Sequence, residues 1–241
     1  RTDVEQLLEF DPQEALPFVF ETVRKSCVAL NGKVPLIGFS GAPFTLASYL
    51  IEGGGSRNYL RTKRLIYSDP GAWRALMERL TQAVARYLNA QIAAGVEVVQ
   101  LFDSWAGCMS PDDYQKYVLP HTRATIAAMT PGIPVIHFST GTAGFLRSLR
   151  AAGGDVIGLD WRVNLDEAWE CLGYDVGVQG NLDPAALIAS PKEIRRRVSD
   201  ILRRADGRPG HIFNLGHGIL PDTPVDNVIA MVRAVHELSA R

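Results

Sequence analysis

The feature that most constrains this chain is a repeated alternation. A short β-rich run, a polar or glycine-containing turn and a helical pattern follow one another along most of its 241 residues. Strands are expected at 35–39, 97–102, 134–138, 155–159, 175–179 and 211–214. Most lack the polar–apolar alternation of a strand with one wet face, which suits parallel strands covered on both sides. Helical patterns fill the gaps. From Trp73 to Ile92 apolar residues step by threes and fours and stop at Gly95, and another such pattern runs from Val225 to Leu238. Further helices are expected to start near Pro12, Pro43, Ala143, Leu165 and Ser190.

Alternating elements of this kind build an α/β fold with a parallel sheet, either a (β/α)₈ TIM barrel or an open doubly wound sheet. The dinucleotide fingerprint G-x-G-x-x-G after a first strand is absent, and Gly53-Gly54-Gly55 follows a helical pattern, as a loop would. The barrel is the preferred reading. A barrel typically takes about 250 residues, so length alone allows one, yet only six strands can be found. With no initiator Met, two strand–helix units are expected to lie upstream of Arg1. Residues 1–241 are therefore expected to form a single TIM-barrel domain that is incomplete at its N-terminus, with about six of eight units.

Composition narrows the function. Formal net charge is −1, from 25 basic and 26 acidic residues, which does not suit a nucleic-acid partner. The densest basic run, Arg195-Arg196-Arg197, alternates with Ile194, Val198 and Ile201 at helical spacing and reads as a solvated helix face. No apolar run approaches the roughly 18–20 residues of a membrane span. The first five residues are too polar for a signal peptide. Cys27, Cys108 and Cys171 are odd in number and far apart, so they read as reduced thiols of a cytoplasmic protein.

In a barrel the active site forms where the strands end. The residues that follow the six strands are Ser40 to Thr45, Asp103-Ser104-Trp105, His137 to Gly141, Asp160-Trp161-Arg162, Gln179 to Asp183 and Asn214 to Gly218. Small residues, amides, hydroxyls, aromatic rings and two histidines are expected to converge there, a lining for a large, flat, polar ligand. Asp160 and Asp183 also read as helix N-caps, and His137 as a structural histidine. His217, between Gly216 and Gly218, reads as functional, since flanking glycines let backbone approach a ligand. No Ser–His–Asp or Cys–His set emerges from spacing, and no nucleophile elbow is present.

The run from Pro35 to Gly53, containing Gly41-Ala42-Pro43-Phe44-Thr45, resembles a signature of the uroporphyrinogen decarboxylase family. Leu101 to Gly107, Gly158-Leu159-Asp160-Trp161, Gln179 to Pro184 and Asn214 to Pro221 follow that family in order. The resemblance implies a (β/α)₈ barrel, dimeric as a homodimer and cytoplasmic. It implies an enzyme that removes carbon dioxide from the four acetates of uroporphyrinogen III to give coproporphyrinogen III, with no metal or organic cofactor. It implies that Tyr49, Ser104 and His217 contact the substrate. The family's paired arginines and the aspartate that meets the pyrrole N–H groups are expected upstream of Arg1, so no catalytic residue is assigned within these 241 residues. This span alone is expected to bind porphyrinogen weakly and to turn it over negligibly.

Two rival readings stay open. Zinc-dependent corrinoid–thiol methyltransferases share the fold and resemble this pattern, with a His-x-Cys after one strand and a later Cys as zinc ligands. Here the corresponding residues are His137-Phe138-Ser139 and the stretch around His217, and Ser is a poor zinc ligand. The other rival is a non-catalytic porphyrin-binding remnant of the barrel, whose exposed sheet edges would call for a partner.

Overall fold

The computed structural model describes residues 4, 6, 7, 9 and 11–240. The expectation attached to Arg1-Thr2, that the chain emerges there from earlier strands, lies outside the described residues. Six parallel strands form one sheet in sequence order: β1 Ile37–Gly41, β2 Val98–Asp103, β3 Val135–Ser139, β4 Val156–Gly158, β5 Gly177–Gln179 and β6 His211–Ile212. Each overlaps its expected run to within two residues at either end. The sheet does not close on itself, and β1 and β6 are its edges.

Between the strands lie α1 Pro17–Leu30, α2 Pro43–Glu52, α3 Leu60–Ser68, α4 Pro70–Ala94, α5 Pro111–Tyr117, α6 Leu119–Ala127, α7 Leu146–Ala152, α8 Leu165–Leu172, α9 Pro191–Ala205 and α10 Val225–Ser239. The long helix α4 shows why its bounds were legible. Asp69 caps it by accepting from the Ala72 N–H at 2.9 Å, Pro70 sits in its first turn, and Gly95 ends it in the left-handed region at φ 118°. The helix expected near Pro12 is instead a single turn, Pro12–Ala15, followed by α1. Pro17 has no N–H to carry a continuous helix through Leu16, whose φ of −132° breaks the path. The arginines of α9 face outward as expected, paired with Glu193, Asp200 and Glu237, while Ile194, Val198 and Ile201 are buried.

Two apolar clusters hold the layers together. One, with Phe20, Val84, Leu88, Val99 and Leu101, seats α1 and α4 on the first strands. The other joins Phe44, Trp73, Tyr114, Ile157, Trp169 and Val198 along the rest of the sheet. At the β1 edge the buried amide of Gln91 takes the place of a neighbouring strand. It accepts from the Phe39 N–H at 3.0 Å and donates to the Phe39 carbonyl at 2.9 Å. Gly38 leaves room for this, because a Cβ there would stand 2.7 Å from the Gln91 amide oxygen.

Candidate functional site

Period two decides what reaches the site. Along a strand successive side chains point to opposite faces. In β2 this sends Gln100, Phe102 and, just beyond the strand, Ser104 to the concave face, and Leu101 and Asp103 to the helix layer. Phe102 meets Phe39 on one side and Phe138 on the other, with ring centroids 5.8 and 5.6 Å apart. Phe138 then meets His217 at 6.3 Å, and His217 meets Trp161 at 6.4 Å. A row of flat rings thus crosses the concave face from β1 to the end of β4.

Above this row the strand ends frame a cleft of about 500 Å³, walled by Ser104, Trp105, Gly107, Thr140, Trp161 and His217 among others. A second lobe of about 380 Å³ reaches down between Gln100, Phe102, Phe138 and Gln179. Ser104 and His217 belong to both lobes. The loops that frame them touch through backbone. A Cβ on Gly107 would lie 2.3 Å from the Thr140 carbonyl, and one on Gly216 would lie 2.5 Å from the Trp161 nitrogen. Gly216 is therefore required by close packing on the loop after β4, whereas the sequence pointed to close approach of a ligand.

The loop after β4 is held by polar side chains. Asp160, buried, accepts from the Gly141 N–H at 2.6 Å and the Arg162 N–H at 2.9 Å, and pairs with the Arg162 guanidinium at 2.6 Å. That guanidinium also lies 4.0 Å above the Trp161 ring. Asp160 is thus a bridge between two loops, and the cap position of α8 is Asn164. Asp183 does act as an N-cap, accepting from the Ala185 N–H at 2.9 Å. Asn181 donates to the carbonyls of Asp160 at 2.9 Å and Val163 at 2.8 Å, fixing the same loop from β5.

On the helix-facing side of the sheet two titratable groups are fully buried. Asp103 accepts from the Thr45 hydroxyl at 2.9 Å, and its other oxygen has no partner among the described residues. Burial pushes its carboxyl up to about 7, against the opposing pull of Thr45. His137 points away from the cleft toward α7, where Leu149 and Gly153 offer backbone oxygens but neither ring nitrogen reaches hydrogen-bonding geometry. Burial holds the imidazole down, at about 4. Only one of the two expected histidines, His217, therefore joins the cleft.

Of the three expected substrate contacts, Ser104 and His217 come together on shared walls. Tyr49 does not line either lobe. It stacks on Trp105 with centroids 3.9 Å apart, and Trp105 itself faces the cleft with Tyr59 packed 5.1 Å away. Arg162 of the strand-end run Asp160-Trp161-Arg162 reaches the rim as expected, whereas sequence reading missed a second rim arginine, Arg57. Arg57 follows the glycine run after α2, outside the strand ends where site residues were sought. Among the described residues no group of three or more His, Cys, Asp or Glu side chains could hold a metal ion. No described helix is long and apolar enough to cross a membrane.

Comparison with known proteins extends these observations. The family model described as Uroporphyrinogen decarboxylase (URO-D) matches residues 1–238. A uroporphyrinogen decarboxylase from Carboxydothermus hydrogenoformans is 55% identical over 239 residues, 99% of this chain and 68% of that protein. One from Roseiflexus sp. is 54% identical, over 99% of this chain and 70% of its own length. Among solved structures, a methyltransferase from Methanosarcina mazei superposes with a TM-score of 0.85 at 21% identity, covering 98% of this chain and 69% of its own. A putative vitamin-B12 independent methionine synthase from Listeria monocytogenes gives 0.64 at 12% identity, covering 92% of this chain and 70% of that one. At such identities these two structures speak for the fold alone.

Proposed function

The chain belongs to the uroporphyrinogen decarboxylase family, and on that premise we propose that it converts the four acetate side chains of uroporphyrinogen III to methyls, giving coproporphyrinogen III. We place it in the cytoplasm as a homodimer of single barrel domains working without metal or organic cofactor. The observation that carries the reading is the pairing of Ser104 and His217 on shared walls of a cleft floored by a row of flat rings.

The chemistry defines what such a cleft has to do. Protonation of a pyrrole carbon creates a cation conjugated with the acetate-bearing position. The bond to the carboxylate then breaks, its electron pair flows into the ring, and carbon dioxide leaves. A proton delivered to the remaining methylene gives the methyl, and loss of the proton first added to the ring carbon restores the neutral pyrrole. The protein's task is to hold a polyanionic macrocycle in register, to exclude water and to move protons. In this reading the Phe102 and Phe138 rings support the macrocycle, and the Ser104 hydroxyl and His217 imidazole bind its polar groups. Tyr49, outside both lobes, backs Trp105, whose ring faces the cleft.

The methyltransferase reading is weaker on the geometry of its donors. His137 and Ser139 alternate to the same helix-facing side of β3 and are 0% and 1% exposed, so neither presents a lone pair to the cleft. The test is anaerobic incubation of the full-length protein with uroporphyrinogen III, resolving products by their remaining carboxylates. Stepwise appearance of seven-, six-, five- and four-carboxylate products is expected. Replacing His217 with Asn should cut kcat/KM by about 10²-fold or more. No carbon dioxide release from the full-length protein would sink the reading.

A further inference from the structure

We propose that Arg57 and Arg162 form a carboxylate clamp at the mouth of the cleft, taking two of the carboxylates that project from the edge of the macrocycle. The inference rests on the porphyrinogen reading above and assigns it further residues. A macrocycle seated on the aromatic row presents its acidic side chains to the rim, so the sign of charge on that rim matters. Arg57 and Arg162 are the arginines that line the larger lobe, and among the described residues no carboxylate lines either lobe. A chain of net charge −1 thus gathers positive charge where a polyanion would enter.

The two arginines are presented in different ways. Arg57 sits in a built turn rather than on a loose loop. Gly53 ends α2 in the left-handed region, the Ser56 hydroxyl accepts from the Tyr59 N–H at 3.1 Å, and Tyr59, only 8% exposed, anchors the turn against Trp105. Arg57 itself is exposed, with no hydrogen bond or ion pair among the described residues. Arg162 is pre-aimed: the Trp161 ring lies beneath it at 4.0 Å and Asp160 holds one Nη, while its side chain stays 51% exposed. A guanidinium carries five N–H donors in a planar fork, so one bond to Asp160 leaves an edge for a carboxylate. Asp160 is shared with two backbone N–H groups, so it does not cancel the guanidinium alone. Asp160 is in this sense a positioning residue for Arg162.

The probe is uroporphyrin, the oxidised, fluorescent octacarboxylate, titrated into the full-length protein and its Arg57→Gln, Arg162→Gln, Arg162→Lys and doubly Gln-substituted forms. Each single Gln change should weaken binding about three- to tenfold, and the double change about tenfold or more. Arg162→Lys should restore only part of the loss, since a point charge lacks the fork. Steady-state KM for uroporphyrinogen should rise in step while kcat changes less than about twofold, a split that a merely structural defect would not give. Binding by the double variant within twofold of the parent overturns the clamp, whatever the turnover. Turnover absent in the parent while binding still depends on both arginines removes the decarboxylase reading and leaves the clamp. Should Arg162→Gln prove unstable, Arg57→Gln decides alone, because Arg57 has no internal partner to lose.

Discussion

Asp103 and Asp160 stand at comparable places, at the ends of β2 and β4, and are almost equally buried at 0% and 4% exposed. Their surroundings are opposite. Asp103 has one hydroxyl partner and no cation beside it, and burial lifts its carboxyl to about 7. Asp160 gathers two backbone N–H groups and a guanidinium. The difference follows from how each half of the sheet is held. From β1 to β3 the ladders pair five residues at each step. Those backbone bonds fix the loop carrying Ser104, and a buried acid behind it need only be tolerated. From β4 to β6 the ladders shrink to three and then two paired residues. There Asp160 and Asn181 take over, tying carbonyls and N–H groups of neighbouring loops that the short strands leave loose.

The largest expected effect comes from removing that support. Asp160→Asn keeps the shape but turns an amide toward donors, leaving the Gly141 N–H or the guanidinium without an acceptor. It should cost about 2–3 kcal/mol in urea unfolding, the penalty of stranded buried donors. Asp103→Asn at pH 7 should cost well under 1 kcal/mol by the same measurement. Equal costs for the two would end the comparison. Asn181→Ala should follow at about 1–3 kcal/mol, since it strands the Asp160 and Val163 carbonyls. It should also weaken porphyrin binding through the Trp161–Arg162 loop, and unchanged binding in a destabilised protein would confine Asn181 to a structural role.

Much of this contrast was beyond reach of the sequence, for identifiable reasons. The strands were legible because each is a short apolar run between polar turns, and period two then separates Ser104 from Asp103. The capping of Asp183 was legible because its partner is two residues away. The role of Asp160 was not, because its deciding partner Gly141 is 19 residues away and belongs to another loop. The reason for Gly216 lies in Trp161, on a different strand end. His137 stood among the strand-end residues but read as a structural histidine, and alternation along β3 does turn it from the face that Phe138 occupies. Arg57 escaped notice because a helix and a glycine turn separate it from β1, and only folding brings that turn to Trp105.

A smaller effect tests the neutral-acid side of the comparison through pH. The folded Asp103 titrates above its unfolded value, so between about pH 4 and 7 the folded protein binds more protons than the unfolded one. Its contribution to stability is therefore present at low pH and is lost as pH rises toward 7. His137 works the other way in an overlapping window. Its folded value of about 4 lies below the unfolded one, so its contribution grows as pH rises from about 4 to 6.5. The two slopes oppose each other in the parent. Asp103→Asn should expose the His137 slope, giving stability that rises with pH by about 1 kcal/mol per unit at most between pH 5 and 6.5. Unfolding free energies across that range check it, and a slope unchanged from the parent would mean that Asp103 is not the neutral acid described.

The smallest expected effect sharpens the same point at one hydrogen bond. Thr45 donates its hydroxyl to Asp103 at 2.9 Å, and the Thr45 hydroxyl oxygen in turn accepts from the Trp105 N–H at the long distance of 3.4 Å. Thr45→Val removes the donor at nearly constant volume. Below pH 6 Asp103 is neutral and the bond joins two uncharged groups, so the loss should be about 0.5 kcal/mol. Above pH 8 the acceptor is a buried carboxylate left with only the Thr45 backbone N–H nearby, and the loss should approach about 1.5 kcal/mol, because bonds to charged groups are roughly twice as strong. In an Asp103→Asn background this dependence on pH should vanish, since nothing at that position then titrates. A Thr45→Val cost that stays flat across pH in the parent would show that the carboxylate is relieved by a donor other than the Thr45 hydroxyl. The contrast with Asp160 would then be one of degree, with both aspartates paired and the two halves of the sheet held by the same means.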